Sequence, residues 1–176
     1  MHSAKGGIDM QPIIQLIRVD NRLVHGQTGV TWSNSLDIDT IIVIDDETVQ
    51  NIFSQKLMTS IAKAGSVHIA FYSIAGFIDA YFSASGGKKL FLVVKSIQVV
   101  RTLYEQGLRF PRINIGNIHY ERGRYPLNKK MYLTQQDVED LNYLNENGNE
   151  IFYQDVPGTL SEKIERLDFE RLKARR

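Results

Sequence analysis

The folding of this chain is constrained most by its apolar runs, which are short, nearly free of polar residues, and separated by segments of helical period. Ile13–Val19, Thr40–Ile44, Val67–Phe71, Leu90–Val94, Arg112–Ile115, Lys130–Leu133 and Glu150–Tyr153 read as strands. Several are continuous Val/Ile/Leu/Phe runs of the kind that a parallel sheet buries on both faces. Behind the cap Ser73, residues Ile74, Phe77, Ile78, Tyr81 and Phe82 recur at helical spacing. Val49, Ile52, Phe53, Leu57 and Ile61 predict a core-facing helix before it, and Ile97, Val100 and Leu103 predict one behind Ser96. Thr134 and Asp137 have capping-box spacing ahead of Val138, Leu141 and Leu144, with Gly148 as the stop. Leu160, Ile164 and Leu167 predict a last short helix. This alternation predicts an α/β, three-layer fold: a mostly parallel sheet of about seven strands, doubly wound, with helices on both faces.

A chain of 176 residues is ordinary for one domain with a full core, and no repeat or Pro-rich linker divides it. Residues 1–11 read as a flexible leader or tail, and 12–176 as a single domain. With a net charge of +1 and scattered charges, the overall field gives no reason to invoke nucleic acid. There is no Cys, which removes disulfides, thiolate metal sites and thiol catalysis. No apolar run approaches the roughly 20 residues that span a bilayer, and the chain reads as cytoplasmic.

The chemistry-bearing segment is Arg18-Val19-Asp20-Asn21-Arg22-Leu23-Val24-His25-Gly26-Gln27, at the end of the first strand. A neutral imidazole keeps a nucleophilic lone pair near pH 7, and flanking guanidiniums neutralise an arriving dianionic phosphate. Gly26 permits close backbone approach, and a helix starting near Gln27 would aim its free N–H groups at the same space. The same residue types also make an ordinary polar strand-to-helix turn. In an open α/β sheet, chemistry gathers at the carboxyl ends of the strands, where Asp45, Asp46, Ser73, Lys95 and Ser96 also fall. G-x-G-x-x-G is absent, Gly86-Gly87-Lys88 lacks the rest of a P-loop, and His68 and His119 have no partner at metal-ligand spacing, so no metal or nucleotide site is expected.

The segment fills every position of R-[IV]-D-x-R-L-[IV]-H-G-Q and resembles the active-site signature of IIB components of mannose-family sugar phosphotransferase systems. The likeness continues through Ile41–Glu47, Leu90–Ser96 and Ile113–Tyr120, spanning about Pro12 to Leu167. Gly116-Asn117-Ile118-His119-Tyr120 is similar to the N-acetylgalactosamine and galactosamine branch. The resemblance implies a relay without a cofactor: His25 takes a phosphoryl group, with Nδ1 as the implied atom, from a phosphohistidine of a IIA partner. It then passes the group to a sugar held by membrane IIC and IID components, at which the protein associates peripherally. Arg18 and Arg22 are then the candidates to bind phosphoryl oxygens, with the N–H groups of Gly26 and Gln27 completing the cradle. Asp20 would repel phosphate directly, so its place is to orient an arginine or the imidazole. Asn21 stands at the variable position and reads as a turn residue.

Trp32 and the loop arginines are candidates for a docking rim, with core packing the simpler reading of Trp32. His119 could reach a partner surface, and homodimerisation stays open. Two other readings of the pocket are a sensor that binds a phosphometabolite without being phosphorylated, and a hydrolase using His25 with Asp20.

Overall fold

The computed structural model describes residues 10–175; most of the expected leader lies outside them. In chain order the elements are β1 (Ile13–Asp20), α1 (Thr28–Leu36), β2 (Thr40–Ile44), a 3₁₀ turn (Thr48–Gln50), α2 (Ile52–Ala64), β3 (His68–Tyr72), α3 (Ile74–Ser83), β4 (Lys89–Val94), α4 (Ile97–Glu105), β5 (Arg112–Asn117), β6 (Tyr125–Asn128), β7 (Met131–Leu133), α5 (Gln135–Glu146), β8 (Glu150–Tyr153), β9 (Glu162–Lys163) and α6 (Phe169–Lys173). Seven strands form one sheet in the order β3-β2-β4-β1-β5-β8-β9, parallel throughout except for β9 against β8. The expected three-layer α/β architecture is therefore the observed one.

Alternation along the central strand separates two cores. Ile14, Ile17 and Val19 face a core closed by Phe77 of α3, Ile97, Val100 and Leu103 of α4, and Val138, Leu141 and Leu144 of α5. Leu16 faces the other, with Trp32 of α1, Met58 and Ala62 of α2, Phe91 and Phe152. Each of these large apolar side chains contributes about 1.5–3 kcal/mol on burial. The caps act as their residue types predict. Ser73 accepts from the Gly76 N–H, and Thr134 and Asp137 form a reciprocal capping box.

Several expectations are corrected. The stretch Lys130–Leu133 supplies no strand to the main sheet: β7 pairs antiparallel with β6 in a separate hairpin, joined to the end of β5 through Ile118. The seventh strand is β9, in a segment predicted to be helical. There the Ile164 N–H donates to the Ile151 carbonyl at 2.8 Å and the Ile164 side chain is buried, so pairing with β8 overrides a weak helical period. The last helix starts later, at Phe169, capped by Asp168. In α2 most of the expected stripe faces outward: Ile52, Phe53 and Leu57 are 67%, 79% and 57% exposed, while Ile61 packs with Met58 and Ala62 against the core. The 3₁₀ turn at Thr48–Gln50 ends at Asn51, which caps a new helix, so Val49 and the residues after it do not share one helical phase. Phe82 of α3, at the end of its stripe, is likewise exposed.

Two departures from regular geometry prepare the site. β1 is the strand at which the winding reverses, lying between β4 and β5, so its carboxyl end opens into the crevice where doubly wound sheets receive ligands. Beside it, the β1–β5 register slips between Val19 and Asp20, where Asp20 pairs with Asn117 and leaves Gly116 as the extra residue.

Candidate functional site

The site is built on the last three residues of β1 and the turn after it. Arg18 and Asp20 point to the same side of the sheet and are 1% and 0% exposed. A buried guanidinium needs a carboxylate and further acceptors. Arg18 Nη2 donates to Asp20 Oδ2 at 2.9 Å, and Nη1 donates to Asn114 Oδ1 and to the Gln154 carbonyl. Burial pulls the Arg18 pKa below its ordinary value, and the Asp20 charge and hydrogen bond oppose that shift. Gly116 makes room for this arrangement: a Cβ there would stand 2.2 Å from Arg18 Nη2 and 2.3 Å from Cζ. Trp32 closes the far side with its ring 5.8 Å from the guanidinium carbon.

Asp20 serves both arginines. While Oδ2 holds Arg18, Oδ1 accepts from the Arg22 backbone N–H at 3.1 Å and lies 3.5 Å from Arg22 Nε. With the Asn117 amide assigned in the orientation that satisfies its neighbours, its carbonyl accepts from Arg22 Nε at 3.3 Å and its NH2 donates to the Lys130 carbonyl. Arg22 is thus anchored at its root while its side chain stays 44% exposed. Of the two places considered for Asp20, the structure shows the carboxylate on the arginines, with no bond to the imidazole.

The turn then bends sharply. Leu23 has φ +55, a left-handed conformation costly for a non-glycine residue, held by its N–H bond to the Asp20 carbonyl and by burial of its side chain. In that conformation its carbonyl receives the Nδ1–H of His25 at 2.9 Å. The ring lone pair is therefore on Nε2, 3.5 Å from Thr28 Oγ1. An attack from Nδ1, the atom implied by resemblance, requires the ring first to turn off the Leu23 carbonyl. Gly26 follows at φ +48 with open space where a side chain would be. Gln27 is the N-cap of α1 and makes no side-chain cap; the Thr28 N–H donates to the His25 carbonyl, and the positive end of the helix dipole lies at this turn.

The other strand-end residues mostly stitch loops together. Asp45 accepts from Thr48 and Lys95, Asp46 Oδ1 accepts from the Ile74 N–H, and Lys95 Nζ bridges Asp45 and Glu47. Ser73 caps α3, and Ser96 stands at the N-cap of α4 without a side-chain cap. His119 is exposed and its backbone N–H donates to Asn21 Oδ1. Trp32 is buried against Phe91 and Phe152 and donates Nε1–H to the Asp155 carbonyl, which is the packing role and not a docking one. Sequence reasoning assigned no role to Asn114, Gly116, Asn117 or Gln154, because their spacing carries no signal until β5 and β8 lie beside β1. Among the described residues, no group of His, Cys, Asp and Glu is placed to hold a metal, and no helix is long and apolar enough to cross a membrane.

A half-buried imidazole at an uncapped helix N-terminus, with an anchored but exposed guanidinium nearby, suits a phosphate-handling α/β domain. The family model described as the PTS system sorbose subfamily IIB component matches residues 14–175, and the chain belongs to that family of sugar phosphotransferase components. Over 153 residues it is 38% identical to the N-acetylgalactosamine-specific phosphotransferase enzyme IIB component 1 of Escherichia coli, covering 87% of this chain and 97% of the relative. The crystal structure of an Escherichia coli IIB component of that description superposes with a TM-score of 0.81, covering 86% of this chain and 99% of that one. An N-acetylgalactosamine IIB component from Streptococcus pyogenes, 30% identical, gives a TM-score of 0.79 over 88% of this chain and 96% of that one. The mannose-specific EIIAB component of Escherichia coli is 28% identical over 79% of this chain, which spans 43% of that longer protein.

Proposed function

We propose that the protein is a phosphohistidine carrier, with His25 accepting a phosphoryl group from a IIA phosphohistidine and passing it to a sugar bound by membrane IIC and IID components. The observation that supports this reading is the placement of His25, a half-buried imidazole just before the N-cap of α1, with Nδ1 held by the Leu23 carbonyl and Nε2 beside Thr28 Oγ1. In transfer, the donor's P–N bond breaks as a P–N bond to His25 forms, and the phosphoryl charge is met by Arg22 and the amides of Gly26 and Gln27. Arg18 acts from beneath by fixing Asp20, which in turn fixes Arg22. The partnership with IIA is supported by the mannose-specific relative, whose name joins IIA and IIB in one protein. N-acetylgalactosamine is the proposed sugar, because relatives at 38%, 34% and 30% identity carry that name. The working place is the cytoplasmic side of the permease.

The experiment is incubation with a phosphorylated IIA protein, followed by intact-mass measurement. A stable, acid-labile gain of one phosphoryl group that His25→Ala abolishes is the expected result. No gain in the wild type would favour the sensor reading, and rapid release of free phosphate the hydrolase. Arg22→Ala should slow acceptance by about tenfold or more, because a charge-assisted contact contributes roughly 1.5–3 kcal/mol and about 1.4 kcal/mol is tenfold in rate.

A further inference from the structure

Asn21 lies where the pattern tolerates variation, yet its side chain makes contacts that a simple turn residue would not need. Its backbone N–H donates to the Asn117 carbonyl at 2.9 Å, continuing the β1–β5 ladder beyond the strand. Its side-chain Nδ2 donates to the Lys95 carbonyl at 2.9 Å, and its Oδ1 accepts from the His119 N–H at 2.6 Å. Lys95 follows β4 and His119 follows β5, the two neighbours of β1, so one amide spans the crevice floor with a donor on one side and an acceptor on the other.

Each tethered loop is itself tied outward. Lys95 reaches Asp45 and Glu47 after β2, and the His119 carbonyl accepts from Arg124, which pairs with Glu121. Asn21 also begins the turn from which Arg22 and His25 project, two residues before the strained Leu23.

We propose that Asn21 is a positioning residue that locks the loops after β2, β4 and β5 to the His25 turn, holding Arg22 and His25 at the spacing needed for transfer. This rests on the carrier reading above. The lock needs an acceptor and a donor on one short side chain. Asn supplies both, a carboxylate supplies only the acceptor, and Ala supplies neither.

Phosphoryl acceptance from a phosphorylated IIA protein should be compared in wild type, Asn21→Ala and Asn21→Asp, with protection of the His119 amide against hydrogen exchange followed in each. Asn21→Ala should lose that protection and slow transfer about tenfold at every pH. Asn21→Asp should keep the protection, because an oxygen still faces the His119 N–H, but transfer slowly near neutrality, where its second oxygen opposes the Lys95 carbonyl. On acidification the introduced carboxyl gains a proton that it can donate to that carbonyl. Its deficit relative to wild type at the same pH should therefore narrow through the range in which the carboxyl itself is seen to titrate. The other charged groups around it, Asp20, Arg22, Lys95, His119 and Arg124, are common to all three proteins, so the ratio isolates the introduced group.

Rates within twofold of wild type in both variants would overturn the proposal. So would an Asn21→Asp deficit that stays flat while its carboxyl titrates, or wild-type protection of the His119 amide in Asn21→Ala. If wild type accepts no phosphoryl group, the carrier reading fails, while amide protection still decides whether the lock exists.

Discussion

Replacing Asp20 by Asn tests the account of the site at its root, because it removes one charge and almost no volume. Arg18 would remain 1% exposed with the Asn114 and Gln154 oxygens but no carboxylate, and one face of the new amide would turn N–H groups toward a guanidinium that only donates. Breaking one side of a buried ion pair costs about 3–5 kcal/mol, and the two surviving acceptors place this case near the lower end. At about 2–4 °C per kcal/mol for a chain of this length, the melting temperature should fall by about 6–12 °C. That is within the roughly 5–15 kcal/mol by which domains are stable, so the variant still folds. Urea denaturation of wild type, Asp20→Asn, Arg18→Met and the double variant is the assay. The midpoint should drop in Asp20→Asn with little change in slope, and the double variant should be more stable than the sum of the single losses predicts. A loss under about 1 kcal/mol for Asp20→Asn, or strict additivity, would refute the claim that Asp20 holds a buried guanidinium whose charge depends on it.

The remaining predictions probe the same frame. Gly116→Ala places a Cβ 2.2 Å from Arg18 Nη2, a guanidinium pinned by three partners, so it should cost about 3 kcal/mol in the same denaturation assay. Wild-type stability there would show that Arg18 is free to move. Asp45 is partly buried, which raises its pKa, but hydrogen bonds from Thr48 and Lys95 outweigh that and leave it below the ordinary 3.8. A depressed carboxyl contributes stability above its unfolded pKa and loses it as pH falls through the folded one. The stability difference between wild type and Asp45→Asn should therefore be constant near neutrality and shrink below about pH 4. A difference unchanged at low pH would mean that the Lys95 contact is not stabilising.

What the sequence by itself determined were the features whose cause is local. Continuous apolar runs determined β2, β4 and β8, since such a run is stable only when covered on both faces, while β1 and β5 were legible from apolar residues interrupted by Gln15, Arg18 and Asn114. Short-range side-chain geometry determined the caps at Ser73 and Thr134, because a capping oxygen reaches only N–H groups two or three residues away. The Arg18–Gln27 string was likewise legible, including the polar turn and the helix that begins at Thr28. Tertiary structure alone decided the rest. Helical period left open which face of α2 the sheet would cover, and the phase break at Thr48–Gln50 turned Phe53 outward. Local propensity did not show that residues 162–163 would pair with β8 as the seventh strand. Arg18, at the end of the first strand, and Arg22, in the turn after it, were both legible as phosphate-binding candidates, but not how deeply either would be buried. The register slip at Gly116, together with Asn114 and the Gln154 carbonyl, buried one and left the other facing the solvent. Those partners lie 96 and 136 residues away along the chain, and no local rule spans that distance.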